Sequence, residues 1–598
     1  MKSKYFVASV VVLYMWTWGA LYGVKAQQTN LPPEVINFAD TVLYNGKVLT
    51  ADDQFTIVEA VAIRDDELMA VGTTDRILKM AGPQTRKIDL KGRTVVPGFI
   101  DTHQHMPDHA TRDYFMVRDD VQWEGKIEPS GYVLIFESVE HVLRNIKKIV
   151  AVTPPGEWVV LYGSTDTIRH WVMPIRRSQL DAISPSNPVA IMAQAGSVAG
   201  VNSLALTKIP KTMRGYPQGD EVWIEGPAGQ MIMLDVHWTM PQDKLMATLK
   251  EKMLDLNANS GFTCLGTRIY PHELTAIREL WSKGELTMRF RLNADNFMSG
   301  SENLEMAFRR MGNISDLGDD WIRISGMGGG AGDSSGQSGG AWTYARRLQD
   351  TTSVHPGMVI QYGPHGTRGL EDRWDGKERL VQLTRYGWSV ANTHSVGDRS
   401  TAVFLDAYEE ALSQGPAVRS HSQRLTLDHL LMVRPEDILR FKKLGVHPSI
   451  APWFLFMPPN TTILAELYGE DVVNQMMPVK SYITAGIKPG LEADVDGRPY
   501  RDPLWIMEKV ITRKDEKGRV WNPSEKVSRQ EALWMYTNWS AYQRGDENKL
   551  GSLEPGKLAD MVVLDRDYMT VPEDEISKIP LVMTIVGGKI VFEKPGMF

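Results

Sequence analysis

The chain has 598 residues, of which 42% are hydrophobic and 23% charged, and it includes 16 Phe, 17 Trp and 19 Tyr. This composition excludes a disordered, collagen-like or low-complexity protein and supplies a large globular core. The 66 Lys and Arg against 73 Asp and Glu give a net charge of −7, without a basic footprint for nucleic acid or an anionic membrane. We therefore expect a small-molecule substrate, no nucleic-acid or membrane partner, and leave a homodimer open.

The first 26 residues have the pattern of a signal peptide. Lys2 and Lys4 precede an apolar run, and Val24-Lys25-Ala26 supplies a small-x-small cleavage pattern. We predict export to the periplasm or beyond. The run approaches the roughly 18 to 20 residues that cross a bilayer, so an uncleaved membrane anchor is the alternative.

Both ends of the remaining chain are predicted to be β. The pair Asn45-Gly46 between two short apolar runs predicts a type I′ hairpin, and Asp65-Asp66 separates a second pair of strands. We expect residues 27–96 and 546–598 to pair into one small β-sandwich domain. The strands predicted here are 42–44, 47–49, 57–64, 67–71, 561–564, 581–586 and 589–592.

The middle of the chain alternates apolar strand-like runs with helical patterns, which is typical of βα units around a parallel sheet. About eight such repeats predict a (β/α)₈ barrel over residues 97–545, with an insertion at about 106–240 that lacks this rhythm. The predicted strands are 95–100, 261–265, 288–292, 321–325, 358–362, 388–391, 425–427, 446–450 and 487–491, and the predicted helices are 244–257, 273–281, 402–412 and 435–444.

A glycine-rich stretch covers residues 326–340. It lacks the Gly-Lys-Ser/Thr ending of a P-loop, so a nucleotide-phosphate site of that kind is excluded. Two interpretations are open, a flexible surface loop and a lid over the active site.

Four histidines and one aspartate lie at predicted strand ends. His103 and His105 follow the first strand with a spacing that sends both imidazoles to the same side. His394 and His429 each end a further apolar strand, and Asp494 follows the last one. Because barrel active sites lie at the carboxyl ends of the strands, these five residues are candidates for one metal site.

Several motifs resemble a known family. The sequence Pro-Gly-Phe-Ile-Asp-Thr-His-Gln-His at 97–105 is similar to the first-strand motif of the amidohydrolase superfamily. Residues 394–399, 427–429 and Gly-Ser-Leu-Glu-Pro-Gly-Lys-Leu-Ala-Asp at 551–560 resemble one long branch, amidohydrolase family 3, which includes N-substituted formamide deformylases. The similarity runs from about residue 40 to residue 595 and implies an α/β fold, a TIM-like barrel with a β-sandwich domain.

The resemblance also implies roles for the site residues. His103 and His105 would bind the metal from the first strand, His394 from the fifth and Asp494 from the eighth. Asp494 would also move the proton of the attacking water, while His429 would bind a second metal or hydrogen-bond the reacting oxygen. Asp101 and Asp398 are candidate acceptors for the second N–H of the imidazoles. Independently of the resemblance, His365 follows the predicted strand 358–362 and is a further substrate-site candidate.

One departure from the family pattern concerns the fourth strand. A lysine that bridges two metals is expected there, and Gly328 occupies its position. Imidazole and carboxylate ligands suit Zn²⁺ or a similar ion, so we favour one zinc on His103, His105, His394 and Asp494, and leave a second metal open.

The predicted reaction is hydrolysis of a C–N, amide-like bond by metal-activated water. Ester or lactone hydrolysis and decarboxylation or other lyase chemistry at the same site are alternatives. A non-catalytic binding protein that kept the fold is the alternative from another class.

Overall fold

The structure is a computed structural model that describes residues 37–128, 133–193, 198–224, 226–294, 304–328, 330–331, 333, 341, 343–345, 374–416, 423–495 and 497–598. The predicted signal peptide, the predicted strand 358–362, His365 and most of the glycine-rich stretch 326–340 lie outside the described residues.

The amino-terminal segment contributes strands to two different sheets. Four strands form one sheet in the order β5-β4-β1-β6, and β7, β2 and β3 enter a six-stranded sheet with the order β24-β23-β22-β7-β2-β3. The bounds are β1 Ala39–Tyr44, β2 Lys47–Leu49, β3 Ile57–Val58, β4 Ala60–Arg64, β5 Glu67–Gly72, α1 Thr74–Leu78, β6 Ala81–Asp89 and β7 Thr94–Pro97.

The predicted hairpin at Asn45-Gly46 is wrong. Strands β1 and β2 enter different sheets instead of pairing with each other. Asn45 has a φ of 57°, but Gly46 does not adopt a positive φ. A Cβ at Gly46 would overlap the side chain of Leu90, so this glycine serves a close approach of chain segments rather than a type I′ turn. The second predicted hairpin is present, since β4 pairs antiparallel with β5.

The predicted strand 95–100 is two strands in two sheets. The chain leaves β7 at Pro97, passes Gly98 and continues as β8 Phe99–Gln104, which pairs with a parallel sheet. A Cβ on Gly98 would overlap Thr263, so only glycine lets the backbone cross here. The apolar run is continuous because both strands are buried, and this hides the break from the sequence.

The residues between β8 and the next parallel strand build a five-stranded sheet of their own, in the order β13-β12-β11-β10-β9. Its apolar side chains form a separate cluster around residues such as Leu161 and Ile191. The bounds are α2 Met106–Met116, β9 Lys126–Glu128, β10 Val133–Ile135, α3 Val139–Val152, β11 Val159–Gly163, α4 Thr165–Val172, α5 Arg177–Ile183, β12 Val189–Ala193, β13 Val198–Val201, α6 Ser203–Leu206 and α7 Gly226–His237.

Two parallel sheets follow, in the orders β16-β15-β14-β8 and β17-β18-β19-β20-β21. Their strands are β14 Phe262–Arg268, β15 Arg289–Asn293, β16 Ile322–Gly326, β17 Gly330–Ala331, β18 Thr393–Ser395, β19 Leu425–His429, β20 Val446–Ile450 and β21 Gly490–Leu491. The predicted strand 388–391 is not continuous: Val390 forms isolated parallel bridges to Met327 and Leu425, and the strand that includes His394 begins at Thr393. The predicted strand 487–491 is reduced to its last two residues.

Hydrogen bonds link the two parallel sheets at both edges. The amide of Met327 donates to the carbonyl of Ser389 at 2.9 Å, and the amide of Ala391 donates to the carbonyl of Met327 at 3.2 Å. At the other edge, the Thr102 hydroxyl donates to the carbonyl of Leu491 at 2.9 Å. The carboxyl ends of β8 and β21 therefore lie side by side.

Helices alternate with these strands along the chain, and one large apolar cluster contains side chains from both. Their bounds are α8 Gln242–Asp255, a π-helix Leu256–Ser260, α9 Pro271–Ser282, α10 Leu304–Met311, α11 Trp374–Arg385, α12 Asp398–Gln414, α13 Pro435–Leu444, α14 Trp453–Phe456, α15 Asn460–Tyr468, α16 Glu470–Val473, α17 Val479–Thr484, α18 Pro503–Thr512, α19 Arg529–Tyr536 and α20 Asn538–Gln543. Among the described residues, every helix is too short or too polar to cross a membrane.

The carboxyl-terminal strands are β22 Met561–Leu564, β23 Leu581–Val586 and β24 Lys589–Glu593. Strand β22 pairs antiparallel with β7, so strands from both ends of the chain lie in the same six-stranded sheet. Gly587 and Gly588 have φ values of 53° and 69° and form the turn between β23 and β24.

Candidate metal centre

His103 and His105 lie at the carboxyl end of β8, as the sequence predicts, although His103 is inside the strand. Their Nε2 atoms are 2.9 Å apart. Nδ1 of His103 contacts Asp428 Oδ2 at 2.8 Å. With the proton on Nδ1, the Nε2 lone pair of His103 faces His105.

Asp494, in the segment after β21, lies next to the Nε2 atoms of His103 and His105. Its Oδ1 is 3.4 Å from Nε2 of His103 and 3.1 Å from Nε2 of His105. Its backbone amide donates to the carbonyl of His103 at 3.0 Å, which ties the two segments together. Asp494 has a φ of 56°, a conformation that is uncommon for a residue other than glycine and that clusters at functional sites.

His429 lies at the end of β19 and also has a positive φ, 78°. Its ring centroid is 4.9 Å from that of His103, and the potential ligand atoms of His103, His429 and Asp494 all lie within 4.8 Å of one another. Nδ1 of His429 hydrogen-bonds Glu492, which also accepts from Ser449. An ionised Glu492 leaves a lone pair on Nε2 of His429, whereas a protonated Glu492 makes Nε2 a donor.

His394 completes the group of histidines. Its ring centroid is 4.3 Å from that of His429, and its Nε2 is buried without a hydrogen-bond partner among the described residues. The nearest carboxylate oxygen recorded for it is Asp333 Oδ1, at 3.9 Å. Asp333 itself is held by the amides of Val396 and Gly397 at 3.0 and 2.7 Å.

The predicted acceptors for the imidazoles differ from those observed. Asp101 accepts from the amides of His103 and Ala493, both at 3.1 Å, and so fixes backbone rather than an imidazole. Asp398 accepts from the amide of Tyr344 at 2.9 Å and has no recorded bond to a histidine of the site. The side chains that hold the imidazoles are Asp428 and Glu492, neither of which the sequence analysis singled out.

Burial and mutual charge set the protonation of the group. Burial would raise the pKa of Asp494, but His429, His105 and His103 together lower it well below its usual range. Burial lowers the pKa of His394 well below its usual range, and His429 adds to this effect. Asp494 is therefore ionised and His394 neutral, which are the forms that bind a metal.

The donor set fits a divalent cation. With the proton of each imidazole on Nδ1, the Nε2 lone pairs of His103 and His105 and Oδ1 of Asp494 lie 2.9 to 3.4 Å apart and can face one shared cation. Ligands about 2.0 to 2.2 Å from a tetrahedral zinc ion stand at similar separations. The unpartnered Nε2 of His394 is a further donor that such an ion would satisfy.

The surroundings of the site are partly apolar and partly charged. The Phe454 ring lies 5.0 Å from that of His429 and 6.3 Å from that of His394. On the side of His105, Asp108 Oδ2 is 3.5 Å from Nδ1 of His105 and accepts a hydrogen bond from Nε of Arg268 at 2.6 Å.

Gly328, at the position of the expected lysine, is buried and supplies no ligand. Cys264 is buried, and burial raises the pKa of its thiol to about 11.

Comparisons with known proteins agree with these observations. Residues 86–592 match the family model described as Amidohydrolase family. The N-substituted formamide deformylase of Arthrobacter pascens is 26% identical over 93% of this chain and 99% of its own length. The Protein LONG AFTER FAR-RED 3 of Arabidopsis thaliana is 24% identical over 97% of this chain and 96% of its own.

A solved structure shares the fold. An uncharacterized metal-dependent hydrolase from Pyrococcus furiosus superposes with a TM-score of 0.58 and 21% identity, covering 89% of this chain and 100% of that protein. The family resemblance drawn from the motifs is thereby confirmed, together with the α/β class of the fold. The chain belongs to the amidohydrolase family and is an enzyme that acts on carbon–nitrogen bonds.

Proposed function

We propose that this amidohydrolase holds one divalent metal ion, with zinc favoured, on His103, His105, His394 and Asp494, and hydrolyses an amide-like bond of a small organic molecule. The observation that carries this proposal is the convergence of two imidazole nitrogens and one carboxylate oxygen within 3.4 Å. When bound, such an ion supplies Lewis acidity and lowers the pKa of water at the site to about 7.

Three side chains of the protein carry out the other steps of this reaction. Ionised Asp494 accepts the proton of the attacking water at a carboxylate oxygen and delivers it to the leaving nitrogen. Asp428 fixes the ring of His103 through Nδ1. His429, held by Glu492, stands beside the site and hydrogen-bonds the carbonyl oxygen of the substrate when its Nε2 carries a proton.

For the substrate we propose an N-substituted amide of small acyl size. The name of the Arthrobacter relative points to N-substituted formamides. The ring of Phe454, stacked with Trp453 at 4.0 Å between centroids, offers an apolar surface next to the histidines. An apolar N-substituent would pack there.

We further propose that the two parallel sheets close into one (β/α)₈ barrel and that the terminal sheets form its β-sandwich companion. The hydrogen bonds at both edges of the parallel sheets and the pairing of β7 with β22 support this arrangement. Export through an amino-terminal signal peptide is also part of the proposal, and it rests on the sequence pattern of residues 1–26.

Purified protein, its metal content and a substrate panel test the proposal. We expect about one equivalent of zinc and turnover of N-substituted amides in preference to matched esters, lactones and aromatic carboxylates. An Asp494→Asn variant should lose at least about a hundredfold in kcat/KM. Asp437→Asn, at a buried aspartate paired with Arg434 and Arg440, serves as the control for a lost buried charge.

Other outcomes identify the alternatives. Preferred turnover of esters or release of carbon dioxide would assign the site to ester hydrolysis or lyase chemistry. Two equivalents of metal would mean that another ligand replaces the lysine absent at Gly328. Absence of both metal and turnover would favour a binding protein, and unchanged turnover in the Asp494→Asn variant would remove Asp494 from the reaction.

A further inference from the structure

A carboxylate from the glycine-rich stretch is buried next to His394. The stretch contributes the short strand β17, which pairs parallel with β18 so that Ala331 lies opposite His394. Asp333 follows two residues later, and its side chain is 1% exposed. Its Oδ1 lies 3.9 Å from Nε2 of His394, which is farther than the 2.9 to 3.4 Å that separate the other candidate ligand atoms. Asp333 is therefore a neighbour of the proposed ligand set and not a member of it.

Asp333 binds the turn between β18 and the helix α12. Its Oδ1 accepts from the amide of Val396 at 3.0 Å, and its Oδ2 accepts from the amide of Gly397 at 2.7 Å and from the Ser400 hydroxyl at 2.9 Å. Gly397 is the N-cap residue of α12 and makes no side-chain capping bond. A carboxylate at this end of a helix is favourable, because the unbonded amides and the helix dipole carry positive charge there. Asp333 therefore supplies, from another strand, the capping group that a glycine lacks.

The same turn is held by a second segment of the chain. The amide of Leu430 donates to the carbonyl of Ser395 at 2.9 Å, and the amide of Met432 donates to the carbonyl of Val396 at 2.8 Å. Nε2 of His394 has no hydrogen-bond partner among the described residues. The placement of this nitrogen therefore depends on the backbone that carries the ring, and that backbone is fixed by the segment after β19 and by the carboxylate from β17.

We infer that Asp333 is a positioning residue of the metal centre, whose carboxylate fixes the turn at residues 396–397 and thereby holds His394 where Nε2 can bind the ion. The inference rests on the proposed metal site and goes beyond it, because it gives the segment after the fourth strand a role that does not need the lysine absent at Gly328. At Asp333 the glycine-rich stretch is bonded to the candidate site and is not a free surface loop.

The test compares full-length wild type and Asp333→Asn, both loaded with Co²⁺, whose visible absorption reports the geometry of its ligands. The side-chain amide keeps the size of the carboxylate but replaces one acceptor oxygen by a donor, so a backbone amide at 396 or 397 loses its partner. We expect an altered cobalt spectrum and a zinc affinity weaker by about ten- to hundredfold, the usual effect of losing a group behind a metal ligand. Asp333→Ala, which removes all three bonds, should weaken zinc binding further.

Glu525→Gln is the matched control. Glu525 is 7% exposed and likewise accepts from a backbone amide and a hydroxyl in the first turn of a helix, both of them groups of Ser481 in α17. This variant should lower the melting temperature and leave the cobalt spectrum and zinc affinity unchanged. An unchanged spectrum and affinity in Asp333→Asn would overturn the inference, and so would an equal loss of zinc affinity in both variants.

A double-mutant cycle shows whether Asp333 acts through His394. In a His394→Ala background, Asp333→Asn should cause no further loss of zinc affinity, because the ligand that Asp333 positions is already absent. Additive losses would overturn the inference. A wild type that binds two equivalents of metal, of which Asp333→Asn keeps one, would also overturn it, since Asp333 would then be a ligand.

Hydrogen–deuterium exchange of the wild type covers the case in which the Asp333 variants do not fold. Zinc binding should slow exchange both in the peptide that contains Val396 and Gly397 and in the peptide that contains Asp333, because coupled segments are stabilised together. Slower exchange in the first peptide alone would overturn the inference. A wild type that binds no metal would refute the proposed function, whereas normal zinc binding in both the wild type and Asp333→Asn would refute the inference alone.

Discussion

In the candidate centre, His103 and His429 are each held by a carboxylate from another segment of the chain. Asp428 lies next to His429 in the sequence, yet it contacts His103, and Glu492 contacts His429. Alternation along a strand explains this arrangement, because neighbours in sequence point to opposite sides. The orientation of these two imidazoles therefore depends on a neighbouring segment of the chain and not on the motif that contains each histidine.

Replacing Asp428 by Asn should weaken metal binding more than it weakens the fold. The amide keeps the shape of the side chain but loses the charge that holds Nδ1–H of His103, so we expect about ten- to hundredfold lower zinc affinity. Competition with a chelator of known affinity measures the zinc affinity of the variant. The control Asp437→Asn should lower thermal stability and leave zinc affinity intact, and equal affinities in the two variants would contradict the assigned role of Asp428.

His237 makes stability depend on pH outside the metal centre. Burial lowers its pKa to about 4, against about 6.5 in the unfolded chain. The unfolded state therefore takes up the proton first, and stability is lost as the pH falls from about 6.5 towards 4. Between pH 7 and pH 5 this single group should cost about 2 kcal/mol.

Urea unfolding of the wild type and of His237→Gln at pH 7 and pH 5 measures this contribution. The variant lacks the titrating group, so its loss of stability between the two pH values should be smaller by that amount. An identical pH dependence in the two proteins would mean that His237 does not titrate as its burial requires.

The apolar patterns of the sequence predict the candidate ligands but not the side chains that orient them. His103, His105, His394, His429 and Asp494 follow apolar runs, and the structure brings them to one place. Glu492 and Asp428 stand inside the same runs, where a carboxylate carries no signal of its partner. Asp333 lies in the glycine-rich stretch and is likewise recognisable only from its bonds to the amides of Val396 and Gly397.

At the scale of elements, Gly98 separates the terminal sheet from the first strand of the parallel sheets. The predicted bounds of β20 and of the helix Pro435–Leu444 match the structure, because each is one continuous element. The pattern of apolar residues indicates which residues are buried but not which sheet they join. It therefore predicts one strand where the structure has β7 and β8. The same limit explains the wrong hairpin at Asn45, where two buried strands enter different sheets.

Adding a methyl group at Gly98 should destabilise the protein by about 1 to 3 kcal/mol, the usual cost of overpacking. The new Cβ would overlap the side chain of Thr263 on β14. Thermal unfolding of Gly98→Ala measures the loss, and the additional change Thr263→Ala should recover part of it.

Gly72→Ala provides the matched control for this experiment. A Cβ at Gly72 meets only the side chain of Arg76, at 3.4 Å, which is ordinary contact. The melting temperature of Gly72→Ala should be close to that of the wild type. Equal losses in Gly72→Ala and Gly98→Ala would mean that crowding at Thr263 is not the cause.

At the scale of the whole molecule, buried ion pairs connect the parallel strands to the carboxyl-terminal part of the chain. Arg289 on β15 makes two hydrogen bonds to Asp560, both at 2.9 Å, and Arg291 pairs with Asp546. Asp560 also accepts from the amide of Gly587 at 2.8 Å. These pairs lie across the junction between the two parts of the fold and are almost completely buried.

Removing one partner of the Arg289–Asp560 pair should lower the free energy of unfolding more than removing both partners. A buried charge left without its partner costs about 3 to 5 kcal/mol, whereas an apolar replacement of both charges costs much less. Chemical denaturation of Asp560→Ala, Arg289→Met and the double variant measures the coupling. A double variant as unstable as the sum of the single variants would contradict this description of the junction.

The hydrogen bond from the amide of Asp494 to the carbonyl of His103 has a consequence for biosynthesis. A ribosome delivers the first histidines long before the aspartate that completes their surroundings. A nascent chain therefore cannot assemble this pocket until Asp494 has left the ribosome, late in translation.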